Sequence, residues 1–168
     1  MMNVLLLLGG DFLMACAVAV CWGVLFGTPR QVLWVAGLLG GAGHCLRTAL
    51  LLLDTGLVLA TLVASLLIGL LGIFFAHRVN NPPVVFTMPA CITMIPGLFA
   101  YRTMLSGIKI SDAKILSERP EVVSEIAHNT MLTFALLASL AIGISVGVLL
   151  FRKRSVKDIS FNWRRGVR

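Results

Sequence analysis

Charge is scarce in this sequence: Asp, Glu, Lys and Arg make up 12% of its 168 residues, about half the share of a water-soluble domain. So few ionic groups cannot cover a globule's surface, which excludes a soluble enzyme or binding module. The four cysteines, Cys16, Cys21, Cys45 and Cys91, lie inside apolar stretches and form no C-x-x-C, so a disulfide-stapled secreted module is excluded too. His44 adjoins Cys45, but neighbours on a helix point to different faces; no metal site and no cofactor is expected. There is no H-E-x-x-H, no phosphate loop and no pair of intramembrane carboxylates, the groupings that hydrolytic or phosphoryl chemistry draws on. The expectation is a chain that is not an enzyme.

Apolar surface is what the sequence has in quantity. The apolar share is 58% and the mean hydropathy is +0.97, the composition of an integral membrane protein. Lys and Arg number 14 against 7 acids. Half of those cations, Arg152, Lys153, Arg154, Lys157, Arg164, Arg165 and Arg168, come after the last apolar run. Beside an apolar helix such a tail reads as a cytoplasmic anchor touching anionic lipid. Membrane lipid is therefore an expected partner, and nucleic acid is not.

Five runs reach the roughly 20 apolar residues that a helical membrane crossing takes: Val4 to Gly27, Gln31 to Leu53, Gly56 to His77, Val84 to Ile108 and Thr130 to Phe151. The sequence thus predicts an all-α integral membrane bundle of five transmembrane helices, the fourth broken or kinked by two prolines. Residues 1–154 form the transmembrane domain and 155–168 the basic tail. The first run has no Lys or Arg ahead of it and is too long for a signal peptide, so it reads as a retained helix. With the tail inside, five crossings place nine cations inside and four outside, whereas a re-entrant fourth run leaves seven against six. The positive-inside rule favours five crossings, N-terminus out and C-terminus in. Between Lys109 and Asn129, Pro120 with Glu121 and apolar residues three to four apart suggests a short interfacial helix.

Within the runs, Gly37 and Gly41, Gly40 and Gly43, Gly69 and Gly72, and Gly143 and Gly147 recur at the spacing that lets helix backbones approach closely in lipid. In the second run, His44 and Arg47 share a face at i and i+3. An arginine about two turns inside a span costs about 2.5 kcal/mol or more unless it snorkels or meets an anion. It therefore either reaches the interface or binds a carboxylate, with His44 beside it able to change protonation near neutral pH. Asp11 in the first run can pair with Arg47, carry a proton, or lie at the interface. In the fourth run Pro89 and Pro96 each remove a backbone donor. Irregular backbone at membrane depth persists only in protein or beside a wet cavity, so this segment is either a packing kink or a substrate site. In the second case Gly97 starts a half-helix and Thr93 and Tyr101 supply hydroxyls.

Three segments carry a family resemblance: Leu25-Phe26-Gly27-Thr28-Pro29-Arg30, Gly43-His44 with Arg47, and Met94-Ile95-Pro96-Gly97-Leu98-Phe99-Ala100-Tyr101. With Ser106-Gly107 before Lys109-Ile110-Ser111 and the closing Phe151-Arg152-Lys153-Arg154, the chain resembles the small-subunit half of the threonine/serine exporter family. It is most similar to the bacterial two-component form implicated in succinate export. Gly27-Thr28 departs from the Asn-Val expected in close relatives. The resemblance implies a half-transporter in the bacterial inner membrane, inactive alone and working with a larger subunit of the same family. It leaves open whether the chain is repeated within the complex. The implied activity is proton-coupled secondary export of small carboxylates, succinate or another C4 dicarboxylate foremost. The alternatives are threonine or serine export and a non-transporting scaffold subunit. The residue assignments stay bottom-up: Arg47, His44, Thr93, Gly97 and Tyr101 for substrate, Asp11 and His44 for the proton, and Pro89, Pro96 and Gly97 for the hinge. Gly37, Gly41, Gly143 and Gly147 serve helix packing.

Overall fold

The computed structural model describes residues 2–110 and 121–151, so the tail from Arg152 onward and much of the polar stretch lie outside the described residues. Among the described residues six α-helices follow one another: α1 (Met2–Leu25), α2 (Leu33–Leu52), α3 (Leu57–Val79), α4 (Val84–Ile92), α5 (Gly97–Ile110) and α6 (Glu121–Phe151). No strand occurs among the described residues, and the architecture is an all-α membrane bundle.

Local chemistry ends the helices where the sequence breaks. At the end of α1, Gly27 takes a φ of 68°. The Thr28 amide then reaches the Gly23 carbonyl at 2.9 Å and the Gly27 amide the Val24 carbonyl at 3.1 Å. This paired closure needs a left-handed residue, which glycine supplies without strain. The same closure ends α2 with Asp54 in the left-handed position, φ 56°, and the Thr55 and Asp54 amides on the Leu50 and Leu51 carbonyls. Asn80, φ 50°, stops α3, and Pro82-Pro83 start α4, as a residue with no amide hydrogen to lose suits a first helical turn.

α2 is the centre, packed against α1, α3 and α4. The core gathers Val35, Ala36 and Leu39 from α2, Ala64 and Ile68 from α3, Phe86, Ala90 and Cys91 from α4, Met94 after it, and Leu140 from α6. Much of what remains exposed on α1 and α6 is Leu, Val, Ile, Met and Phe, the surface a bilayer solvates.

The number of crossings follows from the α3–α6 contact. Ser65 donates its hydroxyl to the Ser139 carbonyl at 3.0 Å, a Cβ on Gly143 would strike Ser65, and one on Gly147 would lie 2.6 Å from the Gly69 carbonyl carbon. Residue numbers rise together along both helices, so α3 and α6 run parallel. The chain between them must therefore travel from one end of the bundle to the other. Helices α1, α2, α3 and α6 are each long and apolar enough to span, and α4 with α5, bent by 58° at their junction, completes the fifth crossing.

The structure refines two expectations. The fourth run breaks once, between Ile92 and Gly97, while α4 continues through Pro89. Pro89 sits in the second turn, where its ring meets only one helical carbonyl. The short interfacial helix is also not separate from Glu121 onward, where residues are continuous with α6; its expected beginning lies outside the described residues.

Candidate functional site

Three of the polar residues flagged in the apolar runs come together, and a fourth joins them. Asp11 lies nine residues into α1, about 13 Å along its axis at 1.5 Å per residue. This places it well inside the helix and away from its end. α2 runs antiparallel to α1 because Gly37, Gly40 and Gly41 leave room: a Cβ on Gly37 would lie 2.8 Å from Val20 Cγ2, and one on Gly41 2.8 Å from Phe12 Cε2. That approach brings His44 Nδ1 to 2.8 Å from Asp11 Oδ2, and Thr48 donates its hydroxyl to the same oxygen at 2.7 Å. His44 and Thr48 are four apart and so share a face. A carboxylate oxygen only accepts, so His44 carries its proton on Nδ1. Both bonds converge on Oδ2, and Oδ1 has no hydrogen bond among the described residues. The two ring-facing side chains are about a quarter exposed, 27% for His44 and 24% for Asp11.

Arg47 lies one helical step from this pair and faces the broken helix. Its Nη1 donates to the Met94 carbonyl at 3.4 Å, a long bond, while its Nε is buried with no hydrogen-bond partner. A buried guanidinium donor with nothing to bind is rare enough to call for a ligand or a water. Gly43, one turn earlier on the same face, makes the arrangement possible: a Cβ there would lie 2.7 Å from Met94 Cε and 2.5 Å from Ile68 Cδ1.

The break itself is short. The Met94 and Ile95 amides turn back to Cys91 and Ile92, the Gly97 amide to Ile95, and the first α-helical bond of α5 is Ala100 to Pro96 at 3.1 Å. The Leu98 and Phe99 amides, in the first turn of α5, have no hydrogen bond among the described residues. They point along the helix start as such donors do. Thr93 is at the break, its hydroxyl turned to the Ala90 carbonyl at 2.9 Å. Gly97 is exposed, with nothing within 4 Å of where a Cβ would stand. Tyr101 is 60% exposed on α5, and no hydrogen bond joins it to the cluster among the described residues. Pro96 is buried at the break.

Pro89 has a different consequence. With no amide hydrogen it leaves the Val85 carbonyl without its helical donor, and Thr28, from the loop after α1, supplies a hydroxyl to that oxygen at 3.0 Å. Thr48 and Thr28 were the residues that sequence reasoning passed over. The i, i+4 spacing of His44 and Thr48 was the available signal for the first.

Gly143-Ile144-Ser145-Val146-Gly147 has the letters of a nucleophile elbow. That motif works on a sharp strand-to-helix turn. Here the pentad is in mid-helix, its glycines pressed on Ser65 and Gly69. Among the described residues no group of three His, Cys, Asp or Glu side chains could hold a metal ion.

A family model described as "Threonine/Serine exporter, ThrE" matches residues 11–150, a stretch that contains the whole Asp11–His44–Arg47–Thr48 cluster and the broken helix. No solved structure matches the chain.

Proposed function

Because the chain belongs to the threonine/serine exporter family and is a multi-pass membrane protein, we propose that it is one subunit of a two-component secondary exporter of small carboxylates. Its substrate is succinate or a similar C4 dicarboxylate, and its partner is a larger chain of the same family. The observation that carries this reading is Arg47, a guanidinium inside a span with a buried, unpartnered Nε beside the start of a half-helix.

In this proposal the substrate carboxylate takes the Arg47 fork, replacing the weak bond to Met94 with a charge-assisted pair. The Leu98 and Phe99 amides of α5 favour negative charge at the same place, and the Pro96 break is the hinge. Thr93 and Tyr101 add hydroxyls once α5 moves. Asp11 and His44, already hydrogen-bonded, exchange the coupling proton. The second carboxylate of a dicarboxylate is met by the larger subunit. Arg30 and Arg78 lie at the end of the bundle whose described loops hold no acid, which supports reading that end as the cytoplasmic one in a bacterium.

A second reading, export of threonine or serine, is favoured by one observation. Asp11 and Arg47 sit in a single cluster, and an acid beside a base complements an amino acid's ammonium and carboxylate. The test is efflux of isotopically labelled succinate and threonine from cells lacking both subunits, then supplied with this chain, the larger chain, or both. Succinate efflux that needs both chains and is lost in Arg47→Gln supports the proposal. Threonine efflux alone would move the substrate to amino acids. No efflux of either with both chains in the membrane would favour a scaffold subunit.

A further inference from the structure

One face of α3 carries Leu70, Ile73, Phe74 and His77, spaced i, i+3, i+4 and i+7, and these residues line a groove of about 300 Å³. It shares no residue with the Asp11–Arg47 cluster. Ile73 is its buried floor, while Leu70 and Phe74 are 42% and 55% exposed. Phe74 is held edge-on to Phe75, and Phe75 edge-on to Trp34 of α2, so the wall is braced against the bundle's centre.

The mouth of the groove is basic. The Arg78 guanidinium carbon stands 5.4 Å from the centroid of the Phe74 ring, a cation–π distance that keeps the charge over the groove. His77 donates from Nδ1 to the Ile73 carbonyl at 2.8 Å, which turns its Nε2 edge away from the helix. No Asp or Glu occurs from residue 55 to residue 110, so nothing acidic on α3, α4 or α5 competes for the Arg78 guanidinium. α6 runs parallel to α3 with Gly147 on Gly69. Its described end, Phe151, is therefore as far past that contact as Ile73 is.

We propose that this groove binds one anionic glycerophospholipid, an acyl chain along Leu70, Ile73 and Phe74 and the phosphate on Arg78. Acyl chains are always at hand at this depth, and basic pockets beside helices on the cytoplasmic side suit acidic headgroups. The uncompensated Arg78 charge complements an acidic phosphate, and that complementarity favours lipid as the occupant.

The experiment uses the full chain purified in mild detergent and titrated with phosphatidylglycerol or phosphatidylcholine, the bound lipid counted by native mass spectrometry. Retention of phosphatidylglycerol over phosphatidylcholine is expected, falling about fivefold in Arg78→Gln, the ratio corresponding to about 1 kcal/mol per cation near a charged membrane surface. Phe74→Ala, which frees the guanidinium, is expected to lower it as well, and Arg102→Gln on α5 to leave it unchanged. Equal retention of the two lipids, or equal loss from Arg78→Gln and Arg102→Gln, would overturn the proposal. So would a photo-crosslinking side chain at position 70 that captures protein and not lipid in native membranes.

Discussion

Thr28→Val removes one hydroxyl, and its cost is set by a proline 61 residues away. In a regular helix the Val85 carbonyl would accept from the amide of residue 89. Pro89 has none and its ring crowds that same oxygen. Thr28 Oγ1 fills the vacancy at 3.0 Å from a side chain only 7% exposed. Valine keeps the shape and drops the donor, which leaves a desolvated carbonyl and costs about 1–3 kcal/mol. Water reaching the loop end of α4 brings the expected figure toward about 1–2 kcal/mol. Pro89→Ala returns an amide hydrogen to the helix, and Val85 then has an internal donor. In that background Thr28→Val is expected to cost less than about 0.5 kcal/mol. The assay is a double-mutant cycle of reversible unfolding in detergent across the four proteins, with an expected coupling of about 1 kcal/mol. Equal costs of Thr28→Val in both backgrounds, within the roughly 0.3–0.5 kcal/mol expected of independent sites, would refute the idea that the hydroxyl substitutes for the missing amide.

The further predictions concern packing and the cluster. Gly147→Val puts a Cβ 2.6 Å from the Gly69 backbone, so α3 and α6 must separate; a loss of about 1–3 kcal/mol is expected, read as a lower unfolding midpoint. Gly9→Ala, where a Cβ meets nothing within 4 Å, is expected to be neutral or slightly stabilising. His44→Gln and Thr48→Val should each lose about 0.6 kcal/mol, and no more than about 1.7, the range of interhelical hydrogen bonds in membranes. Both losses should vanish in an Asp11→Ala background if they act through Asp11 Oδ2, which thermal unfolding of the single and double variants reads directly.

The helices were legible because a bilayer imposes a length: any run of about 20 apolar residues between Pro29, Asp54 and Asn80 had to be a crossing. The glycine pairs were legible for a related reason, since close approach in lipid needs small residues at four-residue spacing. Asp11, His44 and Arg47 stood out as charges in apolar surroundings, but which would meet was not readable. The α1–α2 register that brings Asp11 to His44 and Thr48 is decided by Phe12 against Gly41 and Val20 against Gly37, contacts between residues far apart in the sequence. The two prolines looked alike in sequence and act differently. Pro89 is rescued by a hydroxyl from another loop and stays helical, while Pro96, followed by Gly97, ends the turn. Gly97 was the local signal at Pro96, whereas the Thr28 hydroxyl that meets the Val85 carbonyl comes from outside the run and was not readable in it.

The parallel course of α3 and α6 fixes more than a count of crossings. The first turn of α1 and the last turn of α6 emerge on opposite faces of the bilayer, so a reporter attached ahead of one would sit in a different compartment from a reporter attached after the other. Two units of this kind strung together by a short loop would thread the membrane in opposite senses, the second upside down relative to the first. Duplication of such a bundle would thus yield an inverted-topology pair, with any site shared between the halves meeting its mirror partner near mid-membrane. A bundle with an even number of crossings would yield only parallel copies.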